Sequence, residues 1–486
     1  MRLTELIKTI RPSRIINFKD IDIKGITCDS RKVKKDFIFV AIKGFKDDGF
    51  RFIPEAIKRG AKVVVSYRMP KTKDISGASC IIVKNTRKTL SELSSILFKA
   101  ISQKIKLIGI TGTNGKTTTA YFIENILKRN GKAPLVIGTI DYHFKDKYFP
   151  SLNTTPSIED TYNLFSEAVK EGINYAVMEV SSHALSQDRV AGLHFSYAIF
   201  TNLSRDHLDY HKRIENYFSS KAKLFLKLNR EDFAIINYDD PYGKKLLKLT
   251  KAKIISYGLN KKADFFAYKI KLRPQGSLFT VKSSQGRFDF FSPLIGRYNL
   301  YNILAGICFA FSEGLNLNSI REAMVEFNPP SGRLQKVKVP LDYHVFVDYA
   351  HTPSALKEVL LTLKGIFKKR IILVFGCGGD RDRGKRPQMG RIATELADLS
   401  IITSDNPRSE DPLKIAKDIL RGIKKKNYKM IIDRKEAIFY ALSSAKRDDV
   451  VLIAGKGHEN YQIIKDKKFF FNDCKVVQEY FKSDNV

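Results

Sequence analysis

The pattern of residues along this 486-residue chain predicts an α/β fold built on parallel β-sheets. Three observations support this: short β-rich apolar runs alternate with helical segments from about Ile105 onward, polar clusters follow the runs, and a second series of runs begins beyond a proline pair. KLIGIT (106–111), APLVIG (133–138), YAVMEV (175–180), YAIFTN (197–202) and FAIIN (233–237) are expected as buried strands with helices between them. FFAYKIKL and SLFTVKSS, between 252 and 293, alternate apolar with polar residues and predict antiparallel strands inserted in the central region. HVFVDY (344–349), RIILVFG (370–376), LSIITSD (399–405), YKMIID (428–433) and DVVLIAG (449–455) predict a separate doubly wound domain, with Pro329 and Pro330 marking the linker. In the first hundred residues, FIFVAIKG (37–44) and RFIPEAIKRGA (51–61) suggest a smaller α/β module.

Composition excludes several classes. Hydrophobic residues make up 43% of the chain, enough for a core in each domain, which argues against disorder. No apolar run approaches the ~18 residues of a membrane span, and MRLTELIKTIRPSR lacks the apolar stretch of an export signal. A cytoplasmic enzyme is therefore expected. Cys28, Cys80, Cys308, Cys377 and Cys474 are scattered and form no CxxC pair, so packing roles are expected rather than disulfides or a zinc ribbon. Lys and Arg number 85 against 51 Asp and Glu, a net charge of +34. That surplus suits a nucleic-acid binder or an enzyme of polyanionic substrates, but its dispersal along the chain favours a lysine-rich solvated surface.

Ligands of open parallel sheets bind beyond the carboxyl ends of the strands. Seven polar clusters follow strand-like runs here: TGTNGKTTT, EVSSHAL, TNLSRDHLDYH, VDYAHTP, GCGGDRDRGK, SDNPR and AGKGHE. They are expected to form one large site built from at least two domains. Gly112, Thr113, Asn114, Gly115, Lys116, Thr117 and Thr118 form a shortened phosphate loop, with Ile110 where the longer GxxxxGK[ST] pattern has glycine. Its backbone N–H groups would surround phosphates, Lys116 would reach the β- and γ-phosphates, and the Thr117 hydroxyl could ligate Mg²⁺. Glu179, His207 and Asp209, at neighbouring strand ends, could hold a second metal ion. A histidine so placed is more often a hydrogen-bonded structural residue, but the phosphate loop adds weight to the metal role. Lys221 lies on a predicted helix, where lysines are mostly solvated, and nothing in its surroundings singles it out. The arginines of GDRDRGKR (379–386) and DNPR (405–408) suit a carboxylate, although phosphate or RNA would satisfy them equally. Glu459 offers an acceptor for an ammonium group. Asp29-Ser30-Arg31 and the Gly44–Gly49 stretch are explained equally well by turns.

Taken together, GTNGKTT, EVSSHAL, TNLSRDHLDYH, YxxxKxxLF, GRYNLYNILAG, SGRLQ, DYAHTP and GCGGDRDRGKRP resemble the Mur ligases, the ATP-dependent amino-acid-adding enzymes of peptidoglycan synthesis. The likeness spans about residues 25–475. It implies a three-domain architecture: a UDP-sugar-binding domain (1–100), a central ATP-binding domain with a P-loop-type parallel sheet (101–328), and a C-terminal Rossmann-like amino-acid-binding domain (329–486). The motifs are most similar to those of the member adding the third residue, whose substrate is UDP-N-acetylmuramoyl-L-alanyl-D-glutamate, and DNPR is similar to enzymes that add meso-diaminopimelate. By this resemblance Gly112 to Thr118, Asn299 and Arg333 would bind ATP, with Asp348 and His351 bordering it. Thr117, Glu179, His207 and Lys221, the last bearing a CO2-derived carbamate, would serve Mg²⁺, and Lys116, Lys221, Glu179 and His207 would be catalytic. Ser30, Asn153, Thr154, Thr155, Ser181, Gln187 and Arg189 would hold the UDP-sugar dipeptide. Arg381, Asp405, Asn406, Pro407, Arg408, Gly455 and Glu459 would hold diaminopimelate. The implied enzyme is a monomer acting on small molecules, with no nucleic-acid or membrane partner. Two departures stand out: Asp36 occupies a position where the family usually has glycine, and Phe50 one where histidine is frequent. The alternatives are the same reaction with L-lysine, the ligase adding the final dipeptide, folylpolyglutamate synthase, and a basic P-loop ATPase acting on nucleic acid. DSR and DNPR speak against the related ligases, and the ATPase lacks a clear Walker-B-like carboxylate pair.

Overall fold

The computed structural model describes residues 1–44, 47–75 and 77–482. Phe45 and Lys46, inside the Gly44–Gly49 stretch, lie outside the described residues. The chain forms two compact units, one of Met1–Gly109, Lys132–Ala198 and Lys223–Asp232, the other of Ile110–Gly131, Ile199–Ala222 and Phe233–Val486. Both are α/β with parallel sheets, as the alternation of apolar and helical segments predicts.

In the first unit a five-stranded sheet runs in the order Arg14–Ile16, Ser79–Ile82, Ala61–Ser66, Phe37–Val40 and Gly25–Thr27. Only the Arg14–Ile16 pairing is antiparallel. Val33, Phe39, Ala41, Ile53, Val64 and Cys80 pack one face of this module. Asp36 sits at φ 65°, in the left-handed region that favours glycine and that aspartate tolerates better than most residues. The turn thus keeps its shape without the glycine usual in the resembled family. The Cys28 N–H donates to Glu159 Oε1 at 2.5 Å, tying the module to the helix Ile158–Lys170 of the same unit. Beyond it, Tyr175–Glu179 pairs parallel with Leu135–Ile137, and Asp141–Phe144 and Lys147–Pro150 continue antiparallel.

The second unit contains six of the seven polar clusters; EVSSHAL lies in the first. Phe233–Asn237, Lys253–Gly258 and Phe265–Arg273 pair parallel, and Gly276–Ser283 and Gly286–Ser292 extend them as the expected antiparallel ribbon. The helix Arg297–Ser312, apolar on most of its surface, packs on Lys116–Arg129. The last sheet runs Gln335–Val337, His344–Asp348, Val450–Ala454, Ile371–Phe375, Leu399–Ile402 and Tyr428–Met430, parallel except for its first strand. Helices cover both faces, with Leu356, Leu363, Met389 and Ile419 against one and Ile438, Leu442 and Val477 against the other. This is the doubly wound arrangement predicted from the five apolar runs. Cys80, Cys308 and Cys377 are buried, Cys28 and Cys474 half-buried, and all five are free thiols. Among the described residues, no helix is long and apolar enough to cross a membrane.

Arg434 and Asp473 form a fully buried, bidentate ion pair, Nε to Oδ1 and Nη2 to Oδ2 both at 2.8 Å. Arg434 also donates to the carbonyls of Ala454 (3.0 Å) and Ser404 (3.4 Å), so it joins two strand ends from below. Asp473→Asn would leave a buried guanidinium short of its counter-charge, and stability should fall by about 3 kcal/mol, read as a lower urea midpoint.

Candidate active site

In the first unit Glu179 ends its strand with its side chain fully buried. Its carboxylate accepts the Thr139 N–H (2.9 Å) and hydroxyl (3.0 Å). The Thr155 hydroxyl donates to the Glu179 carbonyl (2.8 Å) and accepts the Ser181 N–H (3.0 Å). Arg189 spans Gln187 Oε1 (2.6 and 3.0 Å) and the Thr155 carbonyl (3.1 Å), and the Thr154 hydroxyl lies 3.1 Å from that of Thr139. Thr154, Thr155, Ser181, Gln187 and Arg189 therefore gather around Glu179. Asn153 is exposed beside them, its carbonyl accepting the Tyr142 hydroxyl. Ser30 is buried in the N-terminal module and donates to Glu55 Oε2 at 3.0 Å. Thr139 carried no motif signal, because its role depends on a hairpin turn that brings it to Glu179.

In the second unit the phosphate loop precedes the helix Lys116–Arg129. Gly115 holds φ 89°, and a Cβ there would collide with Asn302 Oδ1, so a side chain is excluded twice over. Asn302 donates to Asn299 Oδ1 (3.1 Å), and Asn299 donates to the Ile295 carbonyl (2.9 Å). Asn299 thus reaches the loop through Asn302, a residue one helical turn away that motif reading missed. Lys116 Nζ donates to the carbonyls of Gly112 (2.9 Å) and Thr113 (3.0 Å). Lys221 Nζ donates to the same Gly112 carbonyl at 2.8 Å.

Lys221 is not solvated as helical lysines mostly are: it is 1% exposed. It lies 4.5 Å from the centre of the Tyr217 ring, and the Tyr217 hydroxyl lies 3.2 Å from that of Thr113. The helix Ile214–Leu226 turns Lys221 toward the loop, and burial, reinforced by the charge of Lys116, pushes its amine well below the usual lysine range.

Asp206, a further residue that motif reading passed over, is the carboxylate at the centre of this cluster. Its Oδ2 lies 3.3 Å from His207 Nε2 and 3.8 Å from His351 Nε2. Burial would raise its pKa, but His207, Lys385 and His351 outweigh that and hold it below the carboxylate range. His351 is pushed down to about 4 by desolvation and by Lys385, against the pull of Asp206. Arg333 donates to the Thr117 hydroxyl at 3.0 Å and lies over the Tyr349 ring. Asp348 accepts the N–H groups of Leu334 (2.6 Å) and Ala350 (2.8 Å), and burial raises its carboxyl to about 6. Arg205 and Asp382, paired at 3.2 Å, connect TNLSRDHLDYH to GCGGDRDRGK.

DNPR and AGKGHE meet in a polar cradle. Asp405 accepts the Asn406 N–H at 2.6 Å, and Gly455, at φ 113°, has no Cβ because Asp405 Oδ2 would stand 2.6 Å from it. Burial would raise Asp405, but Lys456 and Arg434 outweigh it and lower its pKa. The Pro407 carbonyl accepts the Glu410 N–H (3.0 Å), and Arg408, at φ 52°, donates to the Gly379 carbonyl (2.8 Å). Arg381 is exposed beside it and donates to the Asp380 carbonyl. Asn406 Nδ2 donates to Glu459 Oε2 at 2.7 Å. Among the described residues, no group of three His, Cys, Asp or Glu side chains gathers as a metal site. Gly115→Ala should cut ATP-dependent phosphate release at least about tenfold with an unchanged circular-dichroism spectrum, because the loop must then abandon its left-handed turn.

Three family models cover most of the chain: the Mur ligase family catalytic domain over residues 22–101, the Mur ligase middle domain over 110–310, and the Mur ligase glutamate ligase domain over 332–457. The chain is 43% identical over 484 residues to UDP-N-acetylmuramoyl-L-alanyl-D-glutamate–2,6-diaminopimelate ligase of Clostridium tetani, covering 99% of each. It is 42% identical over 481 residues to the enzyme of the same name from Caldanaerobacter subterraneus subsp. tengcongensis, covering 99% of this chain and 98% of that one. A solved structure of a ligase with that name aligns over 96% of each chain at 34% identity and a TM-score of 0.69. MurF of Acinetobacter baumannii, at 20% identity and TM-score 0.68 over 99% of this chain and 98% of that one, shares the fold. With a phosphate loop, a lysine buried against it and an arginine-rich cradle in the same unit, and with these likenesses over nearly its full length, the chain belongs to the Mur ligase family.

Proposed function

We propose that this protein is an ATP-dependent ligase joining meso-diaminopimelate to the D-glutamate γ-carboxylate of UDP-N-acetylmuramoyl-L-alanyl-D-glutamate in peptidoglycan synthesis. The observation that carries this reading is that one unit holds both a phosphate loop and a cradle of opposed carboxylate and guanidinium groups, Glu459 and Arg408, suited to an amino acid. Functionally the chain divides into residues 1–100 for the UDP-sugar, 101–328 for ATP and the dipeptide end of that substrate, and 329–486 for the amino acid. Thr154, Thr155, Ser181, Gln187 and Arg189, with Asn153 and Ser30, hold the UDP-sugar dipeptide.

A carboxylate is a poor acyl donor. The γ-carboxylate oxygen attacks the γ-phosphorus of ATP and ADP leaves, giving an acyl phosphate. An amine of diaminopimelate then adds to the acyl carbon, a proton is lost, and the tetrahedral intermediate collapses to amide and inorganic phosphate. Lys116 and Arg333 face the charge that moves from carboxylate to phosphate, and the Gly115 backbone sets the loop around it. Glu459 takes the substrate's ammonium, and Arg381 and Arg408 its carboxylate.

Thr117, His207 and Lys221 are the residues that would hold magnesium. The Thr117 hydroxyl is a hard oxygen ligand at a helix start, His207 adds an imidazole, and burial favours the uncharged form of the Lys221 amine, the form that takes up CO2 to give a carbamate oxygen. Glu179 is a further carboxylate ligand in its own unit. Bound there, magnesium would neutralise charge on the phosphates.

Phosphate release with the UDP-sugar dipeptide and ATP, compared among meso-diaminopimelate, L-lysine and L-ornithine, tests the assignment. Preference for diaminopimelate is expected, and equal use of L-lysine would refute the specificity. Lys116→Ala should abolish release. Lys221→Ala should lose activity with partial rescue by short carboxylic acids, and unimpaired turnover would remove the carbamate role. Arg408→Ala should raise KM for diaminopimelate by about tenfold or more while KM for ATP changes less than about threefold.

A further inference from the structure

Lys456 stands inside the AGKGHE cluster and is fully buried. An ammonium has three protons to donate, and here each has an internal acceptor: Asn406 Oδ1 (3.2 Å), Glu459 Oε2 (3.2 Å) and the Tyr461 carbonyl (2.5 Å). No proton is left for a ligand. Asn406 is fixed as well, because its Oδ1 also accepts the Ile463 N–H at 2.9 Å and one Nδ2 proton goes to Glu459 Oε2. With two donors on Oδ1 the amide cannot flip without losing both. Glu459 Oε2 is therefore held by two donors, Lys456 and Asn406, while among the described residues the other carboxylate oxygen, Oε1, has no such donor.

We propose that Lys456 is a positioning residue for the amino-acid substrate: it locks Asn406 and one oxygen of Glu459, so that the other oxygen is presented in fixed orientation to the substrate's ammonium. This rests on the amino-acid role given to the cradle above. The arrangement has an electrostatic side. The groups facing Glu459 are Asp405 and Arg408 from DNPR, Lys456 from its own loop, Arg434 from below, and Tyr349 and Tyr461. Burial and Asp405 raise the Glu459 carboxyl, and Lys456 is the cation that lowers it. Without Lys456 the carboxyl titrates at higher pH, so the anion needed to receive an ammonium is lost sooner on acidification.

The test is steady-state phosphate release by the full chain, with the amino acid varied from acid to alkaline pH. Lys456→Met should raise KM for meso-diaminopimelate by about tenfold or more with kcat and KM for ATP within about threefold. The acid limb of kcat/KM should move to higher pH, as no merely structural loss would make it do. Glu459→Gln should remove that limb, and adding Lys456→Met to it should weaken substrate use little further, because both act through one carboxylate. Lys456→Gln, which keeps two donors without the charge, carries the same measurements if the Met variant does not fold. An unmoved acid limb, or fully additive losses in the double variant, would overturn the proposal. If the wild type ignores diaminopimelate but uses L-lysine, the functional reading fails while the same profiles with L-lysine still decide the role of Lys456. If it uses no amino acid, both fall.

Discussion

Two lysine amines donate to one carbonyl oxygen, that of Gly112, and much of the second unit is arranged around that junction. The carbonyl lies just past the end of the Lys106–Thr111 strand and accepts both. Lys116 arrives from the helix that the loop opens, and Lys221 from the helix Ile214–Leu226, which must lie close enough to bury a four-carbon stem completely. The Tyr217 ring covers Lys221 and its hydroxyl reaches Thr113. Lys116 brings its charge to the loop, while burial beside it pushes the Lys221 amine down, and Asp206 is already shared by His207, His351 and Lys385, which leaves a positive field at the loop. Such a field is poorly satisfied by protein alone and is suited to phosphate.

The cradle formed by DNPR and AGKGHE follows the opposite rule. Its polar groups are satisfied largely by one another, through Lys456 with Asn406 and Glu459 and through Arg434 with Asp473 and two strand-end carbonyls. A network this complete is rigid, and in the proposed function that rigidity would let a short diamino acid be read by geometry rather than by adjustment. The buried Arg434–Asp473 pair adds little net stability over an apolar replacement, but it sets the spacing between the ends of the Leu399–Ile402 and Val450–Ala454 strands, where the reading residues sit.

The net charge of +34 belongs mostly to neither site. Lys244, Lys245, Lys269, Lys271, Lys424 and their like are exposed, and the surface ion pairs they could make contribute little. The basic residues assigned to chemistry are few, and several of them are buried or half-buried.

The alternation of apolar runs was enough to place the parallel sheets, the antiparallel ribbon after Lys253 and the doubly wound last domain, because strand burial is written locally as runs of branched and aromatic residues. The glycines and hydroxyls of the phosphate loop were legible for the same reason: their chemistry needs neighbours in the chain. Residues whose roles depend on partners far along the chain were not. Lys221 reads as a solvated helical lysine until the helix is laid against a carbonyl 109 residues earlier. Asn302, Asp206 and Lys456 lie inside GRYNLYNILAG, TNLSRDHLDYH and AGKGHE, but nothing there singles them out, since their partners at Gly115, His351 and Asn406 are brought near only by folding. Sequence by itself determined which elements form and where reactive groups leave them. Tertiary structure alone decided which of those groups lose their water and share a carboxylate or carbonyl, because desolvation and charge coupling depend on distances in space that no local pattern encodes.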